Sequence, residues 1–138
     1  ARAGELIGVF PEATMSRSLE IKELKNGAVR MAREAEVPLI PMIVFGGHRV
    51  LSYDVRDFTR GRTICMTIGR PMASNDDVDE MTHALRNTLS ELLDETIHRY
   101  PDKPPGAPWI PQRHGGSAPS LEEAARIEEQ RRAARDTT

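Results

Sequence analysis

Short apolar runs and amphipathic stretches alternate along the first half of the chain, and this pattern predicts an α/β fold. Residues 6–10 form an apolar run of strand length, which ends because Pro11 cannot donate to a sheet ladder. Residues 26–36 have helical spacing, and residues 39–45 are almost continuously apolar, as in a strand buried on both faces. Residues 62–69 alternate as a third strand. Strand, helix and strand in succession favour a right-handed crossover, so we expect a mixed or mainly parallel sheet flanked by helices.

A long amphipathic helix is predicted over residues 73–100. Ser74 or Asn75 can cap it, and the acidic residues that follow complement the positive end of its dipole. Its apolar stripe suits either a sheet or a bilayer surface, and the acidic polar face favours packing on the sheet because it would repel anionic lipid. The stripe consists of Val78, Met81, Leu85, Leu89, Leu92, Leu93 and Ile97.

The C-terminal third has a different composition. Dense prolines and glycines over residues 101–119 predict a stiff, irregular linker, with Trp109 fixing it to the domain body. Ser120 can then cap a highly charged helix over residues 120–135, which we expect to be solvated or frayed, or else to bind a partner. The predicted division is residues 1–100 for the domain, 101–119 for the linker and 120–138 for the helical tail.

Composition narrows the function classes. The chain has 138 residues, of which 38% are hydrophobic and 29% are charged, enough for one domain with a modest core. A net charge of −2 gives no basic field, so nucleic acid is not an expected partner. The sequence shows no metal-ligand cluster and no Gly-rich nucleotide loop, so no metal and no cofactor are expected. The single Cys65 lies among apolar neighbours and is expected to be packed and unreactive.

Carboxylate, hydroxyl and cationic side chains are concentrated after the first apolar run. Hydroxyls and cations can hold phosphate oxygens, and a carboxylate can accept a hydrogen bond from an alcohol. The segment therefore suits a ligand that bears both hydroxyl and phosphate. Its polar residues are Glu12, Thr14, Ser16, Arg17, Lys22 and Lys25.

Three short motifs carry a family resemblance. Residues 10–16, Phe-Pro-Glu-Ala-Thr-Met-Ser, resemble the Phe-Pro-Glu-Gly-Thr-Arg-Ser motif of the glycerolipid acyltransferases, the 1-acylglycerol-3-phosphate acyltransferases and their relatives. Residues 25–28 resemble the Lys-x-Gly-Ala element of that family, and residues 37–42, Val-Pro-Leu-Ile-Pro-Met, resemble its Val-Pro-Ile-Val-Pro-Val motif. Order and spacing are also similar, and the resemblance covers roughly residues 4–72.

The resemblance implies a partial acyltransferase domain and a reaction. Such an enzyme moves a fatty acyl group from acyl-CoA or acyl carrier protein to the hydroxyl of a lysophospholipid such as 1-acylglycerol-3-phosphate. It also implies that Glu12 orients the acceptor, that Thr14 and Ser16 donate to its phosphate, and that Arg17 and Lys25 supply positive charge. Family members work at the cytoplasmic face of the cell membrane, as peripheral or anchored proteins, with membrane contact expected through a preceding part of the chain.

The family's catalytic pair is a His and an Asp separated by four residues, upstream of the Phe-Pro-Glu motif. None of the four histidines, His48, His83, His98 and His114, has an Asp five positions later. We therefore expect no catalytic residue in this chain, which would be the C-terminal part of a longer enzyme and inactive alone. His48, after a glycine pair, is interpreted as a structural loop residue.

Two departures from the motif leave alternatives open. Ala13 replaces a glycine, which costs little if its φ is negative and is strained otherwise. Met15 replaces an arginine, a loss that Arg17 can offset from a different angle. One alternative is a non-catalytic binding or regulatory protein that retains the acyltransferase fold. The other is a partner-binding module in which the charged tail is the functional part.

Overall fold

The structure is a computed structural model that describes residues 4–73 and 77–136, with side chains described to residue 134. Within these residues it is a small α/β arrangement, in which short 3-10 turns follow the first strand and precede the last helix. The helices and strands, in chain order, are α1 (Gly27–Ala35), β1 (Met42–Phe45), β2 (Cys65–Ile68), α2 (Val78–Arg99) and α3 (Leu121–Asp136).

The strands β1 and β2 pair antiparallel, with Met42 opposite Ile68 and Phe45 opposite Cys65. The expectation of a mainly parallel sheet is therefore wrong for the described residues. A parallel pair needs a crossover between its strands, whereas the chain here turns back at Gly46, whose φ is 103°. A Cβ on Gly46 would lie 2.3 Å from the carbonyl oxygen of Thr63, so only glycine permits this approach.

The apolar run at residues 6–10 forms no strand in the structure. Leu6 and Phe10 are each 92% exposed, and the described residues provide no neighbouring strand whose backbone groups could pair with the run. The predicted first strand is therefore not observed. Strand propensity alone does not form a strand, because a ladder needs a partner.

The two faces of the β1–β2 pair differ. Ile43, Phe45 and Thr67 are buried on the face that packs against α2. Met42 and Val44 point to the other face and are about half exposed, at 49% and 52%. The expected burial of β1 on both faces is therefore wrong here, and alternate side chains separate the two faces as in any strand.

Helix α1 confirms the predicted helix to within one residue at each end. It buries Ala28, Val29 and Ala32. Glu36 follows in the left-handed conformation, and its backbone N–H bonds back to carbonyls of the last turn. Pro38 then prevents further helix, as predicted.

Helix α2 packs on the sheet, as predicted. Met81, Leu85, Leu89, Leu93 and Ile97 are buried along its stripe. Asp77 caps its first turn by accepting from the backbone N–H groups of Asp79 and Glu80. The predicted caps Ser74 and Asn75 lie outside the described residues. Across residues 4–73 and 77–136, no helix is both long and apolar enough to cross a membrane.

The Pro-rich segment packs into the core. Ala107, Ile110 and Ala118 are 4%, 1% and 1% exposed, and Trp109 lies against the core cluster. Helix α3 begins with a reciprocal pair of bonds between Ser120 and Glu123, which confirms Ser120 as its cap. The predicted domain boundaries stay a prediction.

Candidate functional site

A tight turn opens the motif segment. The backbone N–H of Ala13 donates to the carbonyl of Phe10 at 3.1 Å. Ala13 has a φ of 59°, in the left-handed region that a Cβ disfavours. The condition under which alanine would cost little at this position is therefore not met, and the turn carries local strain.

Glu12 closes the segment into a loop. One of its carboxylate oxygens accepts from the backbone N–H of Lys22 at 3.0 Å. A second closure, from the N–H of Lys25 to the carbonyl of Pro11 at 2.8 Å, lies beside it. Burial raises the pKa of the Glu12 carboxyl, and the bond and charge from Lys22 oppose this rise. Glu12 thus fixes the loop in the structure, and its role in orienting the acceptor stays a prediction.

The Lys22 ammonium lies over this loop. It donates to the hydroxyl of Thr14 at 2.9 Å and to both carboxylate oxygens of Glu128, at 3.1 and 3.3 Å. Thr14 thus bonds to the ammonium of Lys22, which is not one of the two cations expected to hold the phosphate. Ser16 bonds instead to Ser18 at 2.8 Å, and Ser18 is fully buried.

Arg17 is held by a loop that follows β1. Its guanidinium lies 2.5 Å from a carboxylate oxygen of Asp54 and 4.2 Å from the ring centre of Tyr53. The other oxygen of Asp54 accepts from Arg131 of α3 at 2.9 Å. The bonds from Arg17 and then Arg131 hold the pKa of Asp54 below its usual range, so this carboxylate stays charged.

A cavity of about 700 Å³ is lined by some of the predicted site residues but not by all of them. Glu12, Ser16 and Arg17 line it, together with apolar side chains of β1 and of the loop after it. Lys25 lies instead beside a second cavity of about 370 Å³, between the start of α1 and the first turns of α2. The roles assigned to these five residues stay predictions. Within the described ranges, no three metal-ligating side chains converge.

His48 contacts the Pro-rich segment. Its Nε2 lies 3.0 Å from the carbonyl oxygen of Trp109, and its ring meets that of Phe45 edge to face at 4.8 Å. Burial lowers the pKa of the imidazole, the bond to Trp109 opposes this, and the neighbouring Arg49 charge adds to it. These contacts agree with the interpretation of His48 as a structural loop residue.

Sequence reasoning gave too little weight to Lys22 and missed Asp54. Lys22 had one available signal, because it lies in the same cationic stretch as Arg17. Asp54 had none, since its approach to Arg17 depends on how the loop after β1 folds back over 37 residues. Only the three-dimensional structure brings this carboxylate to the motif.

The comparisons with known proteins agree with the motifs. A family model described as Acyltransferase matches residues 1–45. The 1-acyl-sn-glycerol-3-phosphate acyltransferase of Bacillus subtilis is 31% identical over 66% of this chain and 46% of its own length. The enzyme of that name from Saccharomyces cerevisiae is 29% identical over 63% of this chain and 30% of its own. The alpha form of the enzyme from Mus musculus is 26% identical over 64% of this chain and 33% of its own length.

The chain thus spans less than half the length of each of these relatives. No solved structure matches it. The family match contains all three motif segments, residues 10–16, 25–28 and 37–42, and the alignments to the three enzymes are longer than this match. These matches support the assignment of the chain to the glycerolipid acyltransferase family.

Proposed function

We propose that this chain supplies the acceptor site of an acyltransferase that acylates a lysophospholipid such as 1-acylglycerol-3-phosphate. The hydroxyl of the acceptor attacks the thioester carbonyl of acyl-CoA or an acyl carrier protein. An ester forms, and the thiol of the donor leaves. The catalytic pair would be the His and Asp that the family resemblance assigns to a preceding part of the enzyme.

One observation carries the proposal. The loop closed by Glu12 places the Thr14 hydroxyl 2.9 Å from the Lys22 ammonium, and Arg17 lines a cavity beside it. A hydroxyl next to an ammonium, with a guanidinium at a cavity that Glu12 also lines, suits a phosphate monoester, which has several acceptor oxygens and a charge of about −2. All three relatives are named for an acceptor of this kind, 1-acyl-sn-glycerol 3-phosphate, which supports the same assignment.

Glu12 gives the sharpest test in the parent enzyme. Glu12→Ala removes the acceptor of the Lys22 backbone bond and releases the loop, so we expect kcat/KM for 1-acylglycerol-3-phosphate to fall by at least about tenfold, since a misplaced binding group disrupts the reactive geometry. Glu12→Gln keeps an oxygen that can accept this bond and should retain more activity. Glu23→Ala, an exposed carboxylate beside the second cavity, is the matched control.

The outcomes separate the possible functions. Unchanged turnover in Glu12→Ala would contradict the role of this loop in acceptor binding. A parent protein that binds glycerol 3-phosphate but acylates no lysophospholipid would favour the non-catalytic binding protein. Because the proposed acceptor is itself a membrane lipid, we also propose that the reaction takes place at the cytoplasmic face of the membrane, which cell fractionation of the parent protein tests.

A further inference from the structure

Lys22 is positioned by its own backbone. Its N–H donates to Glu12, and its carbonyl accepts from the Arg86 guanidinium at 3.2 Å. The residue is therefore anchored on both sides of its Cα, and its side chain is only 20% exposed. This arrangement holds the ammonium over the motif loop. Because the side chain is already positioned, it loses less conformational entropy when a ligand binds.

The Thr14 hydroxyl completes a place for an anion. It accepts from Lys22, so its own hydrogen is available for a second acceptor. In the structure the anion on Lys22 is the Glu128 carboxylate of α3, which comes from 106 residues away in the sequence. Both of its oxygens lie within 3.3 Å of the ammonium.

Helix α3 is held on this site by polar contacts. Among its described side chains only Ala124 is buried, and Leu121 is 38% exposed. Its second ion pair joins Arg131 to Asp54, with both side chains more than half exposed, and Asp54 in turn holds Arg17. Partly exposed pairs of this kind contribute little stability, so a competing anion can displace the helix at low cost.

We propose that Lys22 is the phosphate-binding cation of the site and that Glu128 occupies the position of the acceptor's phosphate until the acceptor displaces it. Helix α3 is then an autoinhibitory element of the acceptor site. Phosphate and carboxylate both require the Lys22 donors, so the two cannot occupy the same position. This inference rests on the proposed function, because it names the residue that binds the phosphate and the contact that regulates it.

Glycerol 3-phosphate is the probe, titrated by calorimetry into the whole chain at fixed ionic strength. Glu128→Gln removes the competing charge, and we expect it to bind the probe about two- to fivefold more tightly, the range set by a partly exposed ion pair. Glu129→Gln removes the same charge from an exposed neighbour on α3 and should bind like the wild type. Lys22→Gln should weaken binding of the probe both in the wild type and in Glu128→Gln.

Hydrogen exchange gives a second readout. Addition of the probe should increase exchange of the α3 amides in the wild type, because the helix is released from Lys22. Equal affinity in Glu128→Gln and Glu129→Gln, with a loss in Lys22→Gln, would overturn the autoinhibitory role and leave the phosphate site standing. Binding that is absent in every variant, or unchanged by Lys22→Gln, would overturn the inference, and absence throughout would also contradict the proposed function.

Discussion

Two irregular segments of this molecule are ordered in opposite ways. The motif segment, residues 10–26, buries Ser18 and Ile21 but is otherwise exposed or half-buried, and polar contacts such as the bond from Lys22 to Glu12 hold it. The Pro-rich segment, residues 101–119, has as little regular structure but places Ile110 in the core at 1% exposure. The backbone of both is irregular, so secondary structure does not distinguish them. Burial does.

The difference separates stability from binding. The Pro-rich segment adds apolar area to the core, and its prolines reduce the entropy that the chain loses on folding. The motif segment places only Ile21 in the core cluster, and its Ser16 and Arg17 line a cavity. We therefore expect substitutions in the first segment to act on stability and those in the second to act on ligand binding.

The largest expected effect compares two isoleucines. Ile110→Ala removes a fully buried side chain and should lower the free energy of unfolding by about 2–5 kcal/mol. Ile7→Ala, beside the motif segment, removes a side chain that is 60% exposed and should cost less than about 1 kcal/mol. Urea unfolding followed by circular dichroism measures both. Similar losses in the two variants would break the comparison.

The next effect concerns the hydroxyl that ties the end of α2 to the segment between the two strands. Tyr100 is fully buried, and its hydroxyl accepts from Arg49 and donates to the carbonyl of Thr63, each at 3.0 Å. Tyr100→Phe leaves both partners without this bond and should cost about 1–3 kcal/mol of unfolding free energy. Tyr53→Phe, at a residue 44% exposed, is the control, and an equal loss there would contradict the assignment.

A smaller effect, of opposite sign, is expected at the strained turn. Ala13 has a φ of 59°, a conformation that costs alanine about 1–2 kcal/mol and that glycine adopts without this cost. Glycine also makes the unfolded chain more flexible, and this offsets part of the stabilisation in Ala13→Gly. We expect thermal denaturation to show a net stabilisation below about 1 kcal/mol. Ala125→Gly on the exposed face of α3 makes the same change in a helix and should destabilise it. Destabilisation by both substitutions would show that Ala13 is not strained.

The smallest effect is the pH dependence at His48. Its pKa in the folded state lies below 6.5, so the unfolded chain takes up a proton first as the pH falls. The neutral imidazole contributes to the free energy of unfolding above pH 6.5. This contribution is lost as the pH falls through the lowered pKa of His48 in the folded state. Between pH 7.5 and 5.5 the wild type should therefore lose more stability in urea than His48→Gln. Equal losses would show that His48 does not titrate differently on folding.

The sequence predicted local structure better than pairing. Helical spacing placed α1 and α2, and Ser120 was correctly predicted to cap α3, because both signals are properties of neighbouring residues. The direction of the sheet was wrong, since it depends on the turn at Gly46 and its approach to Thr63, which leave no periodic pattern. The apolar run at residues 6–10 resembles a strand but has no pairing partner among the described residues.

The site divides in the same way. The motif itself located Glu12 and Thr14, because their role in the loop is local. The cation beside Thr14 is Lys22, whereas Lys25, one of the two predicted cations, lies beside the other cavity. Asp54 and Glu128 reach the motif only through long-range folding, so no spacing in the sequence could indicate them.

The most direct test of the central claim is where glycerol 3-phosphate binds. We would titrate it into the isotopically labelled chain and follow the backbone amides by NMR, with glycerol as the control that lacks phosphate. The account predicts shifts in the loop between Glu12 and Lys22, in the residues that contact it and in helix α3, which the probe releases, and no shifts with glycerol. Shifts around Lys25 and the second cavity, or none at all, would contradict it.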